Sequence, residues 1–135
     1  MAAYTATDWT IALVTGLARN PRIENGVRLV RSTMTLATAG VYPSNGIPVP
    51  VSATGAAKFG MVRNVEYITV YDSGSALGRI YKYSATGNSI RAFNHPGTVT
   101  TATAVAVDFQ ELATTVTNGA PTGSTLVLYV EAHGW

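Results

Sequence analysis

A chain of 135 residues and 14.1 kDa is long enough to bury one sizeable core and too short for two. It is 47% hydrophobic but only 12% charged, against roughly 25% charged in an average soluble domain. Its net charge of +2 comes from nine basic and seven acidic residues dispersed along the chain, and without a Lys/Arg cluster a nucleic-acid-binding face is not expected.

The absence of cysteine excludes disulfides, a thiolate nucleophile and cysteine zinc sites, and it fits a reducing cytoplasm. The start of the chain lacks the basic and apolar segments of a signal peptide, and no apolar run approaches the roughly 20 residues that cross a bilayer. The expectation is a soluble protein made in the cytoplasm. With so little charge, Thr, Ala, Ser and Gly cover much of the exterior. That suits a protein packed against neighbours, although a Thr-rich β-domain that is simply soluble has the same composition.

Residues 1–8, small and polar apart from Tyr4, read as a flexible N-terminal arm ahead of one β-domain spanning 9–135. Trp9, Ile11 and Leu13 alternate with smaller residues, predicting a strand over about 9–17. Asn25-Gly26 is the strongest turn signal, because both residues tolerate positive φ, and it introduces a long strand from Val27 to Ala37. Arg28 and Arg31 fall on opposite faces of that strand. From Ala39 to Gly60 the composition shifts to Pro, Gly, Ser and Ala. Pro43, Pro48 and Pro50 bar a central strand, while Tyr42, Ile47, Val49 and Val51 supply apolar side chains to dock, as in an ordered, functional or interfacial loop.

Val62 to Tyr71 reads as a strand with Val65, Tyr67 and Tyr71 on one face and Ile68 and Val70 on the other. Both faces are apolar, so a second layer is expected on each, from the same chain or from another copy. Ile80 to Ser84 pairs with Ser89 to Phe93 around Ala85-Thr86-Gly87-Asn88, with Tyr83 opposite Ile90, Tyr81 opposite Ala92, and Lys82 beside Arg91. A further strand is expected over Val99 to Phe109, a turn or scrap of helix at Gln110 to Ala113, a loop at Asn118 to Gly123, and a last strand with Leu126, Leu128, Val130 and Ala132 on one face. The result is an all-β single domain: an antiparallel β-sandwich or small jelly-roll-like barrel of roughly seven or eight strands with long loops.

No residue set assembles convincing chemistry, so neither an enzyme nor a cofactor or metal site is expected. Glu131 and His133 share a strand face but read as a polar patch. No serine sits in a Gly-x-Ser-x-Gly elbow. Asp72, Asp108 and Glu111 lack the arrangement of a glycosidase pair. Gly74 to Gly78 has neither the lysine nor the helix of a phosphate loop. Tyr67, Tyr71, Tyr81, Tyr83 and Tyr129 suit a sugar-stacking platform or, more plainly, cross-strand pairs in a thin core.

The loop Tyr42, Pro43, Gly46, Ile47, Pro48 after a long strand, the tyrosine-rich hairpin Ile80 to Phe93, and the terminal strand ending Gly134-Trp135 together resemble the capsid decoration, or cement, proteins of tailed bacteriophages. The resemblance covers roughly residues 27–135. It implies a non-enzymatic β-domain on the outer surface of the virion that binds the major capsid protein, often as a homotrimer, and clamps adjacent subunits. On this expectation Tyr4, Trp9, Tyr42, Pro43, Gly46, Ile47, Pro48 and Trp135 form capsid or inter-subunit contacts. The alternative is a carbohydrate- or receptor-binding β-sandwich of a head fibre or tail.

Overall fold

The computed structural model describes residues 2–16, 19–36, 40–73, 79–94, 110–111 and 126–135. In chain order its strands are β1 (Trp9–Leu13), β2 (Arg22–Glu24), β3 (Val27–Leu36), β4 (Ile47–Pro48), β5 (Val65–Ser73), β6 (Ile80–Ser84), β7 (Ser89–Asn94), β8 (Gln110–Glu111) and β9 (Leu126–Gly134). One helical turn, α1 (Ala53–Ala56), continues as a 3-10 turn to Phe59. Among the described residues these strands form two antiparallel sheets, not a closed barrel. The first sheet runs β1-β3-β9-β5, and the second runs β4-β7-β6. The expected strand over Val99 to Phe109 and the loop at Asn118 to Gly123 lie outside the described residues, and Gln110–Glu111 is a short strand on β7.

Strand β9 is the spine of the first sheet. It pairs with β3 from Arg28↔Gly134 to Leu36↔Leu126 and, on its other side, with β5. Its alternation puts Leu126, Leu128, Val130 and Ala132 inward, where they meet Val30, Met34 and Leu36 of β3 and Ile68 of β5. The second sheet contributes Ile47, Tyr81, Tyr83, Ile90 and Ala92 to the same core. Phe59 and Ala56, at the helical turns, are fully buried in it. Each large aliphatic or aromatic side chain enclosed in this way stabilises the fold by about 1.5–3 kcal/mol.

The Asn25-Gly26 turn has φ of 50° and 78°, the positive pair a tight hairpin needs. Sequence periodicity leaves out its short first arm, β2. The β6–β7 hairpin has the predicted register, with Tyr83↔Ile90, Tyr81↔Ala92 and Lys82↔Arg91. Strand β5 departs from its predicted faces. Register shifts between Val65 and Tyr67 and between Val70 and Asp72 turn Val65 inward to join Ile68, leaving Tyr67 and Tyr71 outside.

Each sheet has an interrupted edge, and a side chain repairs each interruption. Strands β1 and β2 follow one another along one side of β3, covering Ser32 to Leu36 and Val27 to Leu29. Between them the amide of Asn20 acts as a piece of strand: its Oδ1 accepts the Arg31 N–H at 2.8 Å, and its Nδ2 donates to the carbonyls of Val14 and Arg31. On β7, β4 covers Ser89 and Ile90 while β8 covers Phe93 and Asn94. The Ala92 N–H left between them donates to the Tyr42 hydroxyl at 3.0 Å.

The N-terminal segment is a structured part of the domain, which corrects the expectation of a flexible arm over residues 1–8. Tyr4 N–H donates to the Val41 carbonyl and Val41 N–H to the Ala2 carbonyl, both at 3.0 Å. The Tyr4 ring is buried in the core. Thr5 and Asp8 then form a reciprocal capping box that turns the chain into β1. Small polar residues surround Tyr4 in sequence, but one aromatic ring and two backbone bonds are enough to tie the segment down.

Candidate functional site

The loop carrying most of the expected contact residues faces the protein's own interior. Tyr4, Trp9, Tyr42 and Ile47 are core side chains and Gly46 is buried; Pro43 and Pro48 are half-buried. Ile47 and Pro48 form β4, the Ser89 hydroxyl donates to the Asn45 carbonyl at 2.7 Å, and the Trp9 indole N–H donates to the Pro48 carbonyl at 2.9 Å. As external contacts, the Tyr4, Trp9, Tyr42 and Ile47 side chains are therefore corrected to internal ones. Prolines stiffened the loop and apolar residues gave it a face to bury, and the nearest apolar surface was the second sheet of the same chain. Of the eight residues, Trp135 has the exposed large side chain, at 42%.

Trp135 belongs to a surface patch that the sequence scatters. Ile23 of β2 and Val62, just before β5, are the most exposed large apolar side chains described, at 73% and 79%. Together with Gly26, Arg28, Arg63 and Trp135 they line a shallow groove of about 250 Å³. The groove has a firm base. The Trp135 carbonyl accepts backbone N–H groups from Val62, Arg63 and Asn64, and Trp135 N–H donates back to the Asn64 carbonyl. Next to it, Gly134 lies so close to the Asn64 carbonyl that no side chain fits there. Arg28 and Arg63 have no ion-pair partner among the described residues. The Arg28 Nε atom is buried without a hydrogen-bond acceptor.

A second surface lies on the outer face of the first sheet. Glu131 is buried there at 5% exposure. Its carboxylate lies 3.6 Å from Arg22 Nη2, 3.5 Å from Arg31 Nε and 3.7 Å from His133 Nε2. The predicted sharing of a face by Glu131 and His133 is observed, and Arg22 and Arg31 reach the same carboxylate. Among the described residues no group of three His, Cys, Asp or Glu side chains is placed to hold a metal ion.

Around this cluster stand Tyr67, Tyr71 and Tyr129, each about half exposed, whereas Tyr81 and Tyr83 are buried in the core. Three of the five tyrosines thus face outward and two pack in the core. Tyr67 packs edge-on against Tyr83 and His133, and the Arg31 guanidinium lies 5.6 Å from the Tyr71 ring centroid. Val14, Arg31, Tyr71 and Tyr129 border a shallow groove of about 320 Å³. Burial, and then the negative charge and hydrogen bonding of Glu131, push the Tyr71 phenol above its ordinary pKa, against the opposing pull of Arg31 and Arg22.

No described helix is long and apolar enough to cross a membrane. Searches of protein-family models, curated proteins and solved structures found no match for this chain.

Proposed function

We propose that this chain is a structural virion protein, made in the host cytoplasm, that binds the outer surface of an assembled bacteriophage capsid and fastens neighbouring major capsid subunits. It performs no chemistry of its own and acts as a homo-oligomer, with a trimer as the expected form. The observation that carries the reading is the firmly based patch of Ile23, Val62 and Trp135 on a body with few charges. Exposed apolar side chains held in a fixed arrangement lose little entropy on docking, and contiguous patches of this kind mark interaction surfaces. Repeated over a shell, individually weak contacts sum to strong retention.

The test is co-sedimentation of the purified chain with capsids of the phage that encodes it. Saturable binding at a fixed ratio to the major capsid protein is expected, and absence of binding at micromolar concentration overturns the reading. The outward tyrosines Tyr67, Tyr71 and Tyr129 favour a second reading, a carbohydrate- or receptor-binding module of a head fibre or tail. A strictly monomeric protein retained on a glycan column and absent from capsid pellets would establish that reading in place of the first.

A further inference from the structure

We propose that the groove lined by Ile23, Arg28, Val62, Arg63 and Trp135 receives an acidic, apolar peptide segment of a protein partner. The partner's carboxylate pairs with the two arginines, and its aliphatic side chains cover Ile23, Val62 and the indole. This rests on the assembly reading, whose partner it describes in chemical terms.

Charge complementarity selects the occupant. Two guanidinium groups line one groove, neither is neutralised by a described carboxylate, and the Nε of one is buried without an acceptor. An anion in the groove lies beside two guanidinium groups that no described carboxylate neutralises, and Arg paired with carboxylate is among the stronger charge-assisted contacts. A small inorganic anion leaves the apolar rim uncovered, and two arginines are too few for a nucleic-acid backbone. The rim of Ile23, Val62 and Trp135 calls for aliphatic neighbours on either side of the charge, which a peptide segment brings together. Trp and Arg are also the residues that dominate binding energy at protein interfaces.

A second copy of this chain is poorly supplied for the task. Of the acidic residues described, Asp8 is held in the capping box with Thr5, Glu24 and Glu131 are paired with Arg22 and Arg31, and Glu66 and Asp72 are exposed but lie on β5, a strand whose backbone is already paired with β9 and not a free segment. A heterologous partner brings its own carboxylate.

The experiment titrates the whole, isotope-labelled chain with a capped pentapeptide, acetyl-Val-Leu-Asp-Leu-Val-amide, and with its Asn counterpart, following backbone and indole resonances. Saturable shifts at Ile23, Val62, Arg63 and Trp135 are expected. Replacing the peptide Asp by Asn, or making Arg63→Gln in the protein, weakens binding about tenfold. Arg63 and Val62 are exposed, so Arg63→Gln and Val62→Ser are expected to keep the wild-type melting temperature, which is measured alongside. Absence of shifts at millimolar peptide, or equal binding of the Asp and Asn peptides, overturns the proposal. So does a second result: no peptide binding together with loss of a homo-oligomer in Val62→Ser by light scattering, which assigns the groove to another copy.

Capsid pelleting separates this inference from the reading beneath it. Wild type and Arg63→Gln sedimenting equally well refutes the groove assignment and leaves the assembly role standing. Peptide binding as expected without any capsid binding does the reverse.

Discussion

Replacing Tyr42 by Phe removes one oxygen atom from the centre of the protein. The Tyr42 side chain is 1% exposed, as is Ala92, whose N–H donates to the phenol across 50 residues of sequence. Strand alternation sends the Ile90 and Ala92 N–H groups to the same edge of β7. Strand β4 pairs with Ile90 and ends there, and β8 begins only at Phe93. Without the hydroxyl, the Ala92 N–H is a buried donor with no strand beside it, a loss of about 1–3 kcal/mol. With an unfolding entropy of about 2.1 cal/mol/K per residue, a domain of this length loses roughly 3.5 °C per kcal/mol, so the melting temperature falls by about 4–11 °C. Calorimetry or circular dichroism measures the shift. Amide hydrogen exchange localises it, because Ala92 exchanges roughly 5- to 150-fold faster in the variant. A melting temperature within about 1 °C of wild type, with Ala92 exchange unchanged, would refute the idea that Tyr42 completes this edge.

Deleting residues 1–7 takes away the buried Tyr4 ring and the two backbone bonds that Tyr4 and Ala2 make to Val41. Thermal melts should show a loss of about 3 kcal/mol or more, and a truncated protein as stable as the full chain would contradict the docking of this segment. Gly134→Ala forces a methyl group against the Asn64 carbonyl; overpacking of this kind destabilises by about 1–3 kcal/mol, and an unshifted urea midpoint would show that the close approach is absent in solution. Burial first, and Tyr67 second, hold the Tyr83 phenol above its ordinary value of 10.0. The folded state therefore keeps that proton to higher pH than the unfolded chain, and the associated stability is complete below about pH 10 and is lost as pH rises through the folded-state value. Urea midpoints measured across that range should fall more steeply for wild type than for Tyr83→Phe, and parallel profiles would remove Tyr83 from the alkaline transition.

The β6–β7 hairpin was legible residue by residue because its alternation is regular and the four residues Ala85 to Asn88 close a short turn centred on Thr86-Gly87. The inward row of β9 was legible for the same reason, since period two with one apolar face leaves one choice of register. Strand β5 was only half legible: a register shift adds a residue without any mark in the pattern, and Val65 changed faces. The Tyr42 to Val49 segment showed its stiffness and its need to dock, but apolar residues carry no label for the surface they will meet. Its aromatic and aliphatic side chains went into the chain's own core. The exposed patch was illegible for a different reason. Ile23, Val62 and Trp135 are far apart in sequence, and only the pairing of β2 with β3 and the capture of the Trp135 carbonyl by residues 62–64 bring them together. Glu131 was read with His133 alone because Arg22 and Arg31 reach it across the sheet, from β2 and β3.

The central claim is that this protein strengthens a capsid by binding its outside. Capsids stripped of accessory proteins, heated or treated with chelator with and without saturating amounts of the purified chain, test it most directly. The account predicts that the chain raises the temperature and chelator concentration at which shells break open, and that Val62→Ser combined with Arg63→Gln loses this protection while keeping its own melting temperature. Capsids that disrupt at the same temperature and chelator concentration whether or not the chain is present would contradict it.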